Sequence, residues 1–348
     1  MMGNNDKNKD KDAPKMVRIA IIGLGLIGGS LGMAVRRALK DVQVAGFSRT
    51  VTTARKAKSA GAIDIDAPTA ADAVRDARLV VLAAPVMTFP AILEEIAPAL
   101  MPGAVVTDVG STKAQVARWA QQILPDTVAF VGGHPMAGKE QSGIDAADPE
   151  LFRGKPWAIA PGSHAPEAAV RTVISLAQLV GAEPLFVDAE EHDSYVAAIS
   201  HLPLLVATAL FSTANGSAAW PELAQLASSG FRDTTRLASG SPQMAHDIMA
   251  SNRDNALHWL DRFTADLARL RALIADDDTK PLLEAFARAE LERDNFMING
   301  PPRREMERAP IEKIGISDML LGSRLADLMR GGEQTLRRME GPDTGRKK

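Results

Sequence analysis

Short apolar runs alternate with amphipathic segments in the first half of the chain, from Met16 to about Val187. Runs such as "VRIAIIG" and "ARLVVLAAP" have the length and composition of buried strands, and segments such as "TKAQVARWAQQIL" have helical spacing. Parallel strands need a helix-sized crossover between them. The alternation therefore predicts an α/β fold with a doubly wound parallel sheet, whose ligand site lies beyond the carboxyl ends of the strands.

The strand pattern stops near residue 188, and the residues from about 190 to 299 have helical spacing throughout. Their longest apolar segment is "VAAISHLPLLVATALFSTA". A helix that is apolar nearly all round is buried, either in a domain core or in a subunit interface. We therefore predict four parts: a disordered polar arm over 1–15, a nucleotide-binding domain over 16–188, an all-helical domain over 189–299 and a tail over 300–348.

The composition excludes several kinds of site. The 348 residues include no cysteine, which removes disulfides, thiolate nucleophiles and cysteine metal sites, and we predict no metal centre. No stretch approaches about 20 uninterrupted apolar residues, and the formal net charge is only -3. We expect a cytoplasmic protein with a small-molecule substrate and with neither a nucleic-acid partner nor a membrane span.

The first apolar run continues into a glycine-rich turn, "GLGLIG", and then into a helical segment. In such a turn the first glycine permits a tight bend, the second lets the backbone approach a pyrophosphate, and the third allows close helix–strand packing. In this context the turn predicts a dinucleotide site of the Rossmann type, and a glycine-rich turn without a ligand is the alternative. The predicted binding residues are Gly23, Leu24, Gly25, Leu26, Ile27 and Gly28.

The second strand ends in "AGFSRT", which places Ser48 and Arg49 where an NAD site usually has a carboxylate for the ribose. Arginine can pair with a 2′-phosphate, and serine can donate a hydrogen bond to it. We therefore predict NADP as the preferred cofactor, with NAD possible if Arg49 is only a solvated charge. The third strand ends in "LAAPV", where Ala84 and Pro85 are predicted to lie near the nicotinamide unless they form an ordinary turn.

Two later strands end in polar residues. "VVTDVGSTK" carries Ser111 and Thr112, of which one could simply cap the next helix, and "TVAFVGGH" carries His134. Pro135 biases His134 away from helical geometry, so we expect the imidazole on an extended loop beyond the sheet edge. A histidine that faces a nicotinamide pocket is a candidate general base, because its ordinary pKa lies near neutrality. A structural role is the alternative.

The helical half contributes "SSGFRDTTRLASGSP", in which Arg232 and Arg236 are four residues apart. On a helix these two side chains share a face. One of them can bind a substrate carboxylate through two hydrogen bonds, and the other can pair with an acidic side chain. Either could equally form a structural salt bridge.

These motifs together resemble the prephenate/arogenate dehydrogenase family of tyrosine biosynthesis, and in particular its NADP-using arogenate dehydrogenases. The resemblance runs from about Val17 to Asn295 and rests on "GLGLIGGSLG", "TDVGSTK", "GGHPMAGKEQSGI", "ISHLPLLVA" and "SSGFRDTTRLASGSP". It implies a helical domain that dimerises and an active site in the cleft between the domains. The implied reaction is an oxidative decarboxylation: hydride leaves C4 of a 4-hydroxycyclohexadienyl ring, the C4 hydroxyl loses its proton, and the ring carboxylate leaves as CO2.

The resemblance also implies roles for single residues. His134 matches the catalytic histidine that accepts the hydroxyl proton, and Ser111 matches the serine that hydrogen-bonds to that histidine and to the substrate hydroxyl. Arg236 matches the arginine that binds the ring carboxylate. Three further positions match residues of the substrate pocket or of the ion pairs around that arginine: Glu140, Asp233 and Ser200.

This chain departs from parts of the family pattern. Some members, chiefly prephenate-using ones, carry a histidine right after "SHLP", where this chain has Leu204. The change removes a donor to the substrate's side chain, which favours arogenate and casts doubt on strong tyrosine feedback. His201 is expected to be structural, because it cannot share the helix face of Ser200. We expect neither an ACT domain nor a chorismate mutase in the segment after Asn299, because its roughly fifty residues are fewer than such a domain usually has.

Two other functions remain as alternatives. A 3-hydroxyacid dehydrogenase of the Rossmann-plus-helical class would need a catalytic lysine on a helix of the second domain, where residues 190–299 contain only Lys280, in a loop-like stretch. A dinucleotide-sensing regulator would keep the fold but lose catalytic residues, whereas His134, Ser111 and Arg236 are all present.

Overall fold

The computed structural model describes residues 16–139 and 141–300. Its strands are β1 Val17–Ile22, β2 Val42–Phe47, β3 Ile65–Asp66, β4 Ala77–Leu82, β5 Val105–Asp108, β6 Ala129–Pro135, β7 Pro156–Pro161 and β8 Glu183–Phe186. These strands form an eight-stranded sheet in the order β3-β2-β1-β4-β5-β6-β7-β8. The order reverses at β1 and β4, as in a doubly wound sheet, so the predicted fold class is confirmed.

Helices alternate with the strands and then continue alone. Those of the first half are α1 Leu26–Ala38, α2 Val51–Ser59, α3 Ala70–Val74, α4 Phe89–Ile96, α5 Ala114–Ile123 and α6 Glu167–Leu179. Those of the second half are α7 Ala189–Val196, α8 Leu202–Asn215, α9 Trp220–Leu226, α10 Ser229–Thr235, α11 Pro242–Ser251, α12 Arg253–Ala275 and α13 Lys280–Asn299. A π-helical turn, Ala197–His201, joins α7 to α8. The change from strands to helices near residue 188 agrees with the sequence pattern.

The sheet is parallel except where β7 enters it. β6 and β7 pair antiparallel, with His134 opposite Ala158, and β8 then runs parallel to β7. The described residues between β6 and β7 include only a short 3-10 turn, Ile144–Ala146, and no helix that could return the chain to the starting edge. The prediction of parallel pairing throughout is therefore wrong at this strand. The two-residue strand β3 is too short for its pattern to be recognised in the sequence.

Both faces of the sheet are covered by apolar layers. One layer includes Leu31 and Val35 of α1 and Val173 of α6, and the other includes Phe89 and Leu93 of α4. Fully burying such a side chain contributes about 1.5–3 kcal/mol. Because both faces are buried, the strands are apolar nearly throughout. Polar residues are then left for the strand ends, where the candidate site lies.

The apolar helix of the second half is less buried than an internal core helix. Within α8 only Ala207 is buried in the single chain. An 18-residue window of the continuous helix Ala189–Asn215 has a mean hydropathy of 1.7, so by length and composition alone this helix could cross a membrane. However, the same helix carries the buried polar residues His192, Asp193 and His201. We therefore interpret its apolar surface as one that packs against protein.

Candidate active site

The predicted dinucleotide turn lies between β1 and α1. Gly23 has a φ of 105°, which is a left-handed conformation that favours glycine. A Cβ at Gly23 would lie 2.5 Å from the carbonyl carbon of Ala83, and one at Gly28 would lie 1.9 Å from the carbonyl oxygen of Gly23. A Cβ at Gly25 would meet no atom within 4 Å, so the backbone there is open. This open position at the N-terminus of α1 fits a pyrophosphate.

The other predicted cofactor residues follow neighbouring strands at the same edge of the sheet. The amide of Gly23 donates to the carbonyl of Phe47 at 2.9 Å, so Ser48 and Arg49, which follow Phe47, start beside the glycine turn. Arg49 is exposed, as a side chain that pairs with a ligand phosphate must be. The two residues predicted to lie near the nicotinamide follow β4, the strand beside β1: Ala84 and Pro85.

His134 lies near the carboxyl end of β6, at the same edge of the sheet as the glycine turn. The expectation of a loop beyond the sheet is wrong, because His134 is inside the strand; only its extended backbone agrees with the bias that Pro135 imposes. Its Nδ1 lies 2.9 Å from Nε2 of His192 on α7. Its Nε2 makes no hydrogen bond to any described residue. That nitrogen is therefore the one available to a substrate.

The surroundings of His134 keep its ring uncharged. Burial lowers the pKa of His134 well below its usual value, and the basic groups His192, Lys113 and His201 nearby lower it further, because each of them disfavours a positive charge on His134. At neutral pH the imidazole therefore has a free electron pair and can accept a proton. This is the state that a general base needs before it reacts.

Ser111 lies between β5 and α5 and is half-buried. Among the described residues it makes no hydrogen bond to His134, whose Nδ1 is paired with His192 instead. Neither Ser111 nor Thr112 caps α5; the cap position is Lys113, and Asp193 accepts from the amides of Lys113 and Ala114 at 2.7 and 2.9 Å. The capping alternative is therefore wrong.

A buried ion pair lies directly beneath this edge of the sheet. Nζ of Lys113 donates to Oδ2 of Asp108, and the two side chains are only 1% and 0% exposed. Oδ1 of Asp108 also accepts from the amide of Gly133 at 3.1 Å. Burial raises the pKa of Asp108 and lowers the pKa of Lys113, and the opposite charge of each partner works against these shifts. The pair thereby connects β5 to the residue that precedes His134.

Arg232 and Arg236, the two arginines singled out in the sequence, line one cavity of about 330 Å³. Its walls are formed by Phe211, Arg232, Thr235, Arg236, Ala238 and Ser239. Neither His134 nor Ser111 borders it, so the described contacts of a single chain do not bring Arg236 together with the histidine. Of the other predicted pocket residues, Asp233 and Ser200 are exposed, and Glu140 lies outside the described residues.

Comparisons with known proteins agree with this architecture. Residues 31–185 match the family described as "Prephenate dehydrogenase, nucleotide-binding domain", and residues 188–288 match "Prephenate dehydrogenase, dimerization domain". Prephenate dehydrogenase of Bacillus subtilis is 35% identical over 282 residues, which cover 80% of this chain and 76% of that protein. The chain belongs to the prephenate dehydrogenase family.

Two solved structures of this family resemble the fold over most of its length. Prephenate dehydrogenase from A. aeolicus, in complex with hydroxyphenyl propionate and NAD+, has a TM-score of 0.76 and 30% identity, and the match covers 82% of this chain and 100% of that one. Arogenate dehydrogenase from Synechocystis has a TM-score of 0.69 and 31% identity, with 80% and 100% covered. The combination of this sheet with a helical half thus occurs both in a relative named prephenate dehydrogenase and in one named arogenate dehydrogenase.

Four buried polar residues around His134 were not predicted from the sequence. They are Asp108, Lys113, His192 and Asp193. The sequence does carry a signal for the last two, because His192 and Asp193 precede the apolar residue Val196 by four and three residues and so share its helix face, which is the buried one. Polar residues at apolar positions of a helix indicate a partner across an interface.

The position of Lys280 does not support the alternative of a 3-hydroxyacid dehydrogenase. This residue begins α13 rather than lying in a loop, and its side chain is 79% exposed and 4.0 Å from Glu284. A lysine that takes part in proton transfer needs a partly enclosed position near the cofactor's reactive end.

Proposed function

We propose that the chain catalyses the oxidative decarboxylation of arogenate or prephenate in tyrosine biosynthesis, with transfer of hydride to NADP. The observation that carries this proposal is the position of His134. Its uncharged imidazole lies on the sheet edge that also carries the dinucleotide turn, and its Nε2 is unpaired among the described residues. Membership of the prephenate dehydrogenase family supports the reaction class.

Each part of the site has a separate task. The backbone amides from Gly23 to Gly28 bind the pyrophosphate at the N-terminus of α1. Ala84 and Pro85 would hold the nicotinamide, which would supply the hydride acceptor for C4 of the ring. His134 takes the C4 hydroxyl proton on Nε2 as hydride leaves, so that positive charge does not build up on the oxygen, and it returns this proton to the phenolate oxygen once CO2 has left. Arg236 binds the ring carboxylate until it leaves as CO2 and the ring becomes aromatic.

Initial rates with arogenate and prephenate, each with NAD and NADP, test this function. We expect the highest kcat/KM for arogenate with NADP, because Leu204 offers no hydrogen bond to a keto acid and Arg49 can pair with a 2′-phosphate. No turnover of either substrate with either cofactor would contradict the proposed function. A preference for NAD would contradict only the choice of cofactor.

The Arg236→Ala variant is expected to have a KM for the substrate roughly 10- to 100-fold higher, because a hydrogen bond to a charged group contributes about 1.5–3 kcal/mol. Steady-state kinetics at saturating cofactor measure this effect. Arg232→Ala is the matched control, since Arg232 lines the same cavity. An unchanged KM in Arg236→Ala, or an equal rise in both variants, would assign the carboxylate to another residue.

We also propose a homodimer formed through the helical half. Many large apolar side chains of this half are exposed in the single chain, among them Ile199, Leu226, Ile274, Leu283, Phe286, Leu291 and Ile298. Contiguous exposed apolar surface commonly marks an interface. Light scattering should give a molar mass of about twice 37.0 kDa. A mass of one chain at micromolar concentration would rule the dimer out.

The domain division and the compartment are proposals as well. The boundary at residue 188 is supported by the family matches, which end at residue 185 and begin again at residue 188. The proposed compartment is the cytoplasm, which is supported by a relative named as a prephenate dehydrogenase in a bacterium. Fractionation of expressing cells checks this, with activity expected in the cleared lysate and not in the membrane pellet.

A further inference from the structure

A chain of two hydrogen bonds joins His134 to a buried carboxylate in the helical half. Nδ1 of His134 lies 2.9 Å from Nε2 of His192, and Nδ1 of His192 lies 2.8 Å from Oδ1 of Asp193. The side chains of His192 and Asp193 are 3% and 2% exposed. Both residues belong to α7, so the histidine strand and the first helix of the second half meet at this chain of contacts.

The carboxylate at the end of the chain is held in place from three directions. Oδ1 of Asp193 accepts from the amide of Lys113, and Oδ2 accepts from the amide of Ala114. These amides lie at the N-terminus of α5, where the helix dipole favours negative charge. Nδ2 of Asn252 donates to the main-chain carbonyl of Asp193 at 2.7 Å. Both carboxylate oxygens of Asp193 are therefore hydrogen-bond acceptors in a fixed position.

A fixed acceptor determines where each imidazole carries its proton. Asp193 can only accept, so Nδ1 of His192 must donate to it, and a neutral His192 then has a bare Nε2. That bare nitrogen can pair with Nδ1 of His134 only as an acceptor. Nδ1 of His134 must therefore carry the proton, and Nε2 of His134 is left with the free electron pair.

We propose that His192 and Asp193 are positioning residues that hold His134 in the one neutral tautomer able to accept a proton on Nε2. This proposal rests on the function proposed above and adds two residues that do not contact the substrate. Without them the ring could place its proton on Nε2, and that form has no electron pair for the substrate hydroxyl. When His134 accepts the proton, its Nδ1–H stays bonded to His192, and no other proton has to move.

The tautomer of His134 can be measured without any substrate. Nitrogen-15 NMR of the histidine-labelled protein at pH 8 should show His134 protonated only on Nδ1, with its signals assigned by their loss in His134→Asn. This measurement separates the two proposals, because it keeps its meaning if neither arogenate nor prephenate is turned over. Protonation of His134 on Nε2 in the unaltered protein would overturn the proposal by itself.

Two variants at His192 separate a lost hydrogen bond from a lost packing contact. His192→Leu fills similar space without an acceptor, whereas the amide oxygen of His192→Gln can still accept from Nδ1 of His134. We expect His192→Leu to lower kcat at least about tenfold with little change in KM and to show a mixture of His134 tautomers. His192→Gln should recover most of the kcat and the single tautomer.

The matched control is a second histidine that is followed by a buried aspartate. His246 contacts Asp247 through Nδ1 at 3.0 Å, but its side chain is 71% exposed and it makes no contact with His134 among the described residues. His246→Leu should keep kcat within about twofold of the unaltered protein. A His192→Leu variant as active as His246→Leu, or a His192→Gln variant no faster than His192→Leu, would overturn the positioning role.

Discussion

His134→Asn is expected to lower kcat by roughly 10²- to 10⁴-fold, the range that a positioned general base contributes. Asparagine can keep a hydrogen bond near the place of Nδ1 but has no group that reaches the place of Nε2. Because the lost interaction belongs to the transition state, kcat/KM should fall by the same factor while KM stays nearly constant. Steady-state kinetics with the preferred substrate and cofactor measure both quantities.

The pH dependence provides a second readout for the same residue. Burial and nearby positive charge lower the pKa of His134 well below its usual value, so the ring is neutral at pH 7 and gains a proton only in more acidic solution. We therefore expect kcat/KM to be flat near neutrality and to fall only at a pH below about 6.5, the ordinary pKa of histidine. The small residual activity of His134→Asn should lack this decline.

His164 offers a control on the same domain. It is exposed and follows β7, whose antiparallel direction places it at the sheet edge opposite His134. His164→Asn should retain normal kinetics. If His134→Asn were to lose less than tenfold in kcat, another residue would have to be the base, and Ser111 and Lys113 would be the next candidates to replace.

The parts of the site that follow strand ends could be predicted because local sequence determines them. A tight turn that requires Gly23 and Gly28 has a recognisable spacing, and β6 was visible as an apolar run that ends at His134. Strand ends of a doubly wound sheet share one edge, so the topology alone brings these residues together. Separate local patterns were enough for this part of the prediction.

The remaining parts depend on contacts between segments that are distant in sequence. His134 and His192 are 58 residues apart, and Lys113 and Asp193 are 80 apart, so no local pattern pairs them. The antiparallel β7 depends on a connection that contains no predicted helix, and apolar runs do not encode strand direction. How Arg236 relates to His134 is likewise undetermined by sequence spacing, because it depends on packing between the two halves of the chain.

Lys113→Met is expected to lower the free energy of unfolding by about 3–5 kcal/mol, the cost of leaving one partner of a buried ion pair alone. Asp108 would keep its contact with Gly133, but its charge would be left without the ammonium group that now neutralises it. Urea denaturation at pH 7.5 measures the change. Arg37→Met is the control: Arg37 and Glu150 form an exposed pair, for which about 1 kcal/mol or less is expected.

The sign of the pH dependence distinguishes this mechanism from a simple loss of packing. Without Lys113, burial is opposed only by the hydrogen bonds from the amides of Gly133 and Gly110. Burial therefore raises the folded-state pKa of Asp108 further above the unfolded value, and the folded state holds a proton more tightly than the unfolded chain. The stability of the Lys113→Met protein should therefore fall, relative to the unaltered protein, as pH rises from 5.5 to 7.5.

Adding Asp108→Asn removes the unpaired charge, keeps an acceptor for Gly133 and should restore part of the lost stability. Two results would contradict this mechanism: a loss of unfolding free energy in Lys113→Met that does not depend on pH, or a Lys113→Met/Asp108→Asn protein less stable than Lys113→Met. Either result would mean that the lysine stabilises the fold through its packed methylene groups and that Asp108 is not charged in the folded protein.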